Sequence, residues 1–274
     1  MKLKTQDKRL IAVAFVGASF LCVGLFILLR QAPTLAVLYA LALLATALFA
    51  AQLEIYRRVQ FLLNHAHENY RQTEALFSLF SLLKIRRPLP PLRDFAISPD
   101  FANLLVTLID ETRPRVILEL GSGASTLITG YRLQQLGQGR IISLEHDEKY
   151  ATVTRARLTQ HELNDVVTLI HAPLAEIAIG EKKWKWYDQS AWSGIERIDL
   201  LVVDGPPART QSLARYPALP LLRSKLADGA VVVLEDAARA DEKKTAELWQ
   251  REFPDFALEY VATEKGAAVF RRAR

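Results

Sequence analysis

Two long uncharged runs stand at the head of the chain and constrain its fold more than any other feature. From Leu10 to Leu29 (LIAVAFVGASFLCVGLFILL) no residue carries a charge, and beyond Arg30-Gln31-Ala32-Pro33 a second uncharged stretch runs from Ala32 to Leu53. At 1.5 Å per residue, either run is long enough to cross a hydrocarbon core of about 30 Å as a helix. So short a connection makes the helices antiparallel neighbours. Residues 1–53 are therefore expected to form a two-span transmembrane hairpin, with every backbone group satisfied inside a helix. Lys2, Lys4, Lys8 and Arg9 precede the first span, Arg57 and Arg58 follow the second, and only Arg30 lies between. The positive-inside rule then puts both termini, and the rest of the chain, on the cytoplasmic side of the inner membrane. A cleaved signal peptide fits less well, because the apolar stretch is long and a second one follows at once. A re-entrant or monotopic hairpin is the remaining alternative.

Residues 54–94 read as a linker. Ile55, Val59, Leu62, Leu63, Leu76, Phe77, Leu79, Phe80, Leu82 and Leu83 recur at mostly helical spacing over 54–86, and Arg86-Arg87-Pro88-Leu89-Pro90-Pro91 ends the helix at a domain boundary. His65 and His67 are two residues apart and do not share a helical face, which argues against a metal site there. The hairpin and this helix are surfaces for self-association into a homo-oligomer, with no number fixed.

The charge is unevenly placed. Residues 1–94 hold 12 Lys and Arg against 5 Asp and Glu, whereas 95–274 hold 23 against 25. The net charge of +5 thus belongs to the membrane-proximal part, and nothing marks a nucleic-acid groove in the remainder. The single cysteine, Cys22, excludes a disulfide framework and a cysteine-based zinc site.

Residues 95–274 alternate strand and helix. Ser98-Pro99-Asp100 opens a helix. Strands are expected at Val116–Leu120, Ile141–Leu144, Val166–Ile170, Ile198–Val203 and Ala230–Leu234, with helices over 124–136, 149–162, 217–226 and 241–253 between or after them. Two closing β-like runs, near 256–262 and 267–271, are close enough to form an antiparallel pair. This pattern predicts an α/β fold with a doubly wound, mostly parallel seven-stranded sheet, preceded by the transmembrane hairpin.

In such a sheet ligands bind at the carboxyl ends of the strands, and three ends carry pointed chemistry. After the first strand, Gly121 and Gly123 let the backbone turn tightly and approach a ligand, and Ser125 and Thr126 add hydroxyls at a helix start. After the second strand, Glu145 is placed to accept both hydroxyls of a ribose. After the fourth, Asp204-Gly205-Pro206-Pro207 points a carboxylate into the crevice. Each feature alone has an ordinary structural explanation; the order in which they occur is what makes them specific.

The runs VILELGSGASTL, ISLEHDEKYA, LIHAPL, DLLVVDGPPARTQSLARYPALPLL and LADGAVVVLEDAAR, over about residues 95–274, resemble class I S-adenosylmethionine-dependent methyltransferases, most of all methyltransferase family 24. The resemblance implies S-adenosyl-L-methionine as cofactor. It places Gly121, Ser122 and Gly123 against the methionine part, Glu119 in support of its amino group, and Ser125 and Thr126 at the same end. It gives Glu145 the ribose and sets His146 and Ala172 beside the adenine. Asp204 then sits beside the methyl group and the acceptor, as first candidate for the base, with Asp236 second and His171 third. Metal-dependent catechol-type methyltransferases have a lysine where this chain has Pro207 and an asparagine where it has Ala237, so no metal is expected.

Trp184-Lys185-Trp186-Tyr187-Asp188, with Trp192, reads either as an aromatic lid or as a loop covering the sheet. Arg209, Arg215 and Tyr216 either face an anionic acceptor or are solvated. The favoured function is a membrane-anchored methyltransferase, acting at the cytoplasmic face on oxygen of a small-molecule, glycan or lipid-linked acceptor. An NAD-dependent oxidoreductase is weakened by Thr126 at the last position of GxGxxG. A non-enzymatic membrane adaptor is weakened by the intact Gly121, Gly123, Glu145 and Asp204.

Overall fold

A computed structural model describes residues 32–272 continuously, and 17, 19–24, 26–27 and 30 before them. The chain divides into two compact units, Met1–His67 and Glu68–Arg274.

The two-span hairpin is corrected by the structure. Among the described residues one helix is long and apolar enough to cross a membrane, α1 (Pro33–Leu82, 50 residues). The expected first span, 10–29, lies largely outside the described residues. Helix α1 does not stop at Leu53 either, but absorbs the stretch read as a separate linker helix. No proline or glycine occurs between Thr34 and Leu82, so nothing interrupts its hydrogen-bond ladder. In the first unit Leu41, Leu44, Leu48 and Phe49 are exposed, as a lipid-facing helix surface requires.

In the second unit, the last turns of α1 carry Leu79 into the hydrophobic core. Gln72, which is buried, donates to Glu68 at 2.7 Å and to Asp100 at 2.8 Å. Helix α2 (Pro99–Thr112) follows, with Pro99 in its first turn, and Arg113 ends it in the left-handed region.

The elements after α2 are β1 (Val116–Leu120), α3 (Ala124–Leu136), β2 (Arg140–Glu145), α4 (Glu148–Gln160), β3 (Val167–His171), β4 (Leu174–Ile179), β5 (Lys182–Tyr187), β6 (Ile198–Val203), α5 (Ala218–Leu222), β7 (Leu226–Glu235), α6 (Ala240–Glu252), β8 (Phe256–Val261) and β9 (Ala267–Arg272). Seven strands form one sheet in the order β3-β2-β1-β6-β7-β9-β8. The first five in this order are parallel, and β9 runs antiparallel to both its neighbours.

The sheet is buried on both faces. Ile117, Leu200, Val202, Val231 and Val233 join the core on one side, and Leu118, Leu201, Val203, Val232 and Leu234 the core on the other. This period-two partition explains why the strands read as unbroken apolar runs. The segment 174–187, to which the sequence pattern assigns no strand and whose Trp184–Asp188 part reads as a lid or a covering loop, is the antiparallel hairpin β4-β5, a second sheet that buries Trp186 and Tyr187.

Candidate active site

Strand order reverses between β1 and β6, and the crevice beyond their carboxyl ends is where an open α/β sheet binds ligands. A cavity of about 370 Å³ opens there, with Gly121, Ser122, Glu145, His146, Asp204 and Asp236 in its wall. Its volume is in the range of small-molecule sites.

Leu120 pairs with Leu144 on one side and Val203 on the other, so the chain leaves β1 and β6 side by side. The Gly121 N–H donates to the Leu144 carbonyl at 2.9 Å and the Asp204 N–H to that of Leu120 at 3.0 Å. Gly121 has φ +97°, and a Cβ on it would lie 3.3 Å from the Gly205 nitrogen. A Cβ on Gly205 would collide with Tyr187 Oη. The two loops therefore cross backbone to backbone, which only glycine permits. A Cβ on Gly123 would meet nothing within 4 Å, so the turn is open on that side.

Glu119 is fully buried one residue before the end of β1. Its Oε2 accepts from Thr126 Oγ1 at 2.5 Å and Ser143 Oγ at 2.6 Å. Thr126 Oγ1 in turn accepts from the Gly123 N–H at 2.9 Å, tying the turn to the strand beneath it. Burial pushes the Glu119 carboxyl up to about 7, against the hydroxyls of Ser125, Ser143 and Thr126.

Glu145, at the end of β2, is buried yet reaches the cavity wall. Its Oε2 accepts from the Ser122 N–H and hydroxyl, both at 3.1 Å, and its Oε1 from the Asp147 N–H at 2.9 Å. His146 Nδ1 lies 3.0 Å from Oε1. Burial acts to raise this carboxyl, but His146 and the two backbone N–H groups outweigh it and hold Glu145 below the usual range. A buried carboxylate held ionised at the cavity wall can accept ligand hydroxyls.

At the ends of β6 and β7, Asp204, Glu235 and Asp236 bring carboxylate oxygens within 4.8 Å of one another. Arg215 lies among them. Its Nη2 donates to Asp204 Oδ1 at 3.0 Å and Asp236 Oδ2 at 2.9 Å, and its Nη1 to the Glu235 carbonyl at 2.8 Å. Arg239 adds 2.7 Å to Asp236 Oδ2, and Lys265 Nζ stands 3.6 Å from Glu235 Oε1. Burial raises the Asp204 carboxyl, against the lowering by a hydrogen bond from Glu235 and by the Arg215 charge. Burial and the neighbouring Asp204 push Glu235 well above the usual range.

The structure brings Gly121, Ser122, Glu145, His146, Asp204 and Asp236 to one cavity. Gly123 borders the turn. Glu119, Ser125, Thr126 and Ala172 are buried and line no part of the cavity wall. Ala172 instead donates its N–H to the Glu145 carbonyl at 2.7 Å, which holds β2 and β3 together at their ends.

The sequence reading did not place Phe95, Tyr150, Arg239 and Lys265 on the wall, because they arrive from four separate loops and helix starts. From the aromatic segment, only Tyr187 reaches the cavity. Trp184 packs on Tyr216, with ring centroids 5.0 Å apart, and Trp186 and Trp192 fill the core. Arg215, read as facing an anion or solvent, is buried against acids. The signal for this lay in its flanks: LARYPALPLL is an apolar run interrupted by one charge.

Residues 118–237 match the family model of a methyltransferase domain. No curated protein matches. Among solved structures, the O-methyltransferase TomG from Streptomyces achromogenes, in complex with SAM, is 17% identical, with 67% of this chain and 84% of that one covered at a TM-score of 0.51. The SAH-bound methyltransferase PaMTH1 from Podospora anserina is 16% identical, with 74% and 88% covered at 0.52. At these identities the likeness is one of fold.

Proposed function

We propose that this chain, an enzyme whose residues 118–237 are a methyltransferase domain using S-adenosyl-L-methionine, methylates an oxygen of a small-molecule, glycan or lipid-linked acceptor at the cytoplasmic face of a membrane. The observation that carries this reading is the meeting of Gly121, Glu145 and Asp204 in one cavity at the carboxyl ends of β1, β2 and β6. The cofactor fits the residues present. Gly121 brings the backbone close to the crevice, the turn is open beside Gly123, and Glu145 offers an ionised carboxylate to a ribose.

When bound, S-adenosylmethionine supplies a methyl group on a cationic leaving group, so the protein's task is alignment and proton handling. Glu145 and Ser122 orient the nucleoside end. Asp204, at the other side of the cavity, takes the proton from the acceptor hydroxyl; burial raises its carboxyl above the ordinary carboxylate value, which makes it the stronger proton acceptor. Tyr187, whose buried hydroxyl has no hydrogen-bond partner, is driven well above its ordinary value by burial and stays a neutral donor.

Helix α1 supports action at a membrane, and Arg57 and Arg58 beyond its apolar part favour the cytoplasmic side for the methyltransferase domain. The test is transfer of labelled methyl from S-adenosylmethionine into membrane extracts by the full chain in detergent, beside Asp204→Asn. Label in an ether of a lipid-linked acceptor, lost at least 100-fold in the variant, is expected. Equal labelling of soluble and lipid-linked acceptors would overturn the membrane part, and full activity of Asp204→Asn the role of the base.

A further inference from the structure

We infer that Arg215 is a built-in cation of the active site, occupying with its guanidinium the place that a divalent metal would take among Asp204, Glu235 and Asp236, and positioning Asp204 towards the acceptor. The inference rests on the role given to Asp204 above, although its principal test does not.

Three acidic side chains converging at the ends of adjacent strands need a positive charge. The side chain of Arg215 is only 4% exposed, and a single nitrogen, Nη2, bonds both Asp204 and Asp236. Nη1 is anchored on the Glu235 carbonyl, and Nε lies 3.7 Å from Glu242 Oε1. Arg215 is thus fixed from three elements: β6 through Asp204, β7 through Glu235 and Asp236, and α6 through Glu242. A planar fork held at several points keeps its geometry, which a flexible lysine would not.

Two of the oxygens that would coordinate a metal are already engaged, and the guanidinium stands between them. Asp204 Oδ1 and Asp236 Oδ2 each accept from Nη2, and Asp236 Oδ2 also accepts Arg239. A divalent ion placed there would add two charges against a buried guanidinium, with Arg239 and Lys265 close by. Arg215 also lines the cavity, so the same group that binds the acids fixes the floor on which the acceptor hydroxyl must meet Asp204. Arg215 is a positioning residue: it acts through Asp204.

The test is titration of the full chain in detergent with Mn²⁺ alone, followed by electron paramagnetic resonance, for wild type, Arg215→Ala and Arg215→Lys. The wild type should bind no Mn²⁺ at this site at concentrations up to about 1 mM, and chelator should leave methyl transfer unchanged. Removing the guanidinium uncovers the acids, so Arg215→Ala should gain one equivalent of Mn²⁺ at least about 10-fold tighter than any wild-type binding, while Arg215→Lys should not. In transfer assays, Arg215→Ala should lose roughly 100-fold in kcat, and Arg215→Lys about 10-fold, with KM for the methyl donor within a factor of about 3 of wild type. A merely structural role would damage donor binding and turnover together.

Stoichiometric Mn²⁺ binding by the wild type, or turnover abolished by chelator and restored by Mn²⁺, would overturn the inference, as would wild-type kcat in Arg215→Lys. If Arg215→Ala does not fold, wild type and Arg215→Lys still decide. If no acceptor is ever methylated, the proposed function fails while the Mn²⁺ titration still reads the site.

Discussion

Glu119 and Glu145 lie near the carboxyl ends of neighbouring parallel strands, yet their surroundings move their protons in opposite directions. Glu119 is sealed under the turn and raised by burial to about 7, from an ordinary 4.5. A carboxyl raised on folding costs nothing below its unfolded value and progressively more as pH climbs from about 4.5 to about 7, approaching roughly 3 kcal/mol. Glu119→Gln, which can still accept from Thr126 and Ser143, should therefore match the wild type in acid and become the more stable of the two above pH 7. Thermal melts of the full chain in detergent at pH 4.5 and pH 8 measure this difference. Glu145 is lowered instead, so its carboxylate persists through neutral pH. Glu145→Ala should weaken donor binding at least about 10-fold by calorimetry, and should lower the melting temperature through a loss of about 1–3 kcal/mol, because it leaves the Ser122 and Asp147 N–H groups without their acceptor. The crossing of two glycine loops gives a third prediction. Gly205→Ala should destabilise by about 1–3 kcal/mol through its clash with Tyr187 Oη, and Tyr187→Phe in that background should recover part of the loss, as read in a double-mutant cycle.

At the scale of elements, strands β1, β2, β3, β6 and β7 were legible because each is an apolar run bounded by turn residues. The site acids were legible because each follows such a run directly. Hairpin β4-β5 was not, since Leu174–Ile179 is a short run broken by Glu176 and Lys182–Tyr187 mixes lysines with aromatics, and the hairpin is held by burying Trp186 and Tyr187. Helix α1 was divided at Leu53 because hydropathy changes there, whereas helix continuity depends on the absence of breakers and not on polarity. Its last turns, from Glu68 on, belong to the second unit and pack there through Leu79 and Gln72. Leu79→Ala should cost about 2–5 kcal/mol, seen as a lowered melting temperature of the full chain.

At the scale of the molecule, an apolar helix and a methyltransferase domain share one chain. Full-length protein should stay in the membrane fraction through a carbonate wash and need detergent for extraction, as fractionation of expressing cells measures. What the sequence alone determined is whatever depends on short stretches of chain: apolar length sufficient for a membrane, the alternation of strand and helix, the glycines after β1, and the acids after β2, β6 and β7. Only the tertiary structure decided which of these groups meet. Ser125, Thr126 and Ala172 went under the site, while Tyr187 and Lys265 came to its wall. Arg215, apparently a surface charge in one dimension, became the buried partner of acids from two strands. The reason is that burial and ion pairing depend on the packing of distant segments, whose contacts set the electrostatics of a site that local spacing can only outline.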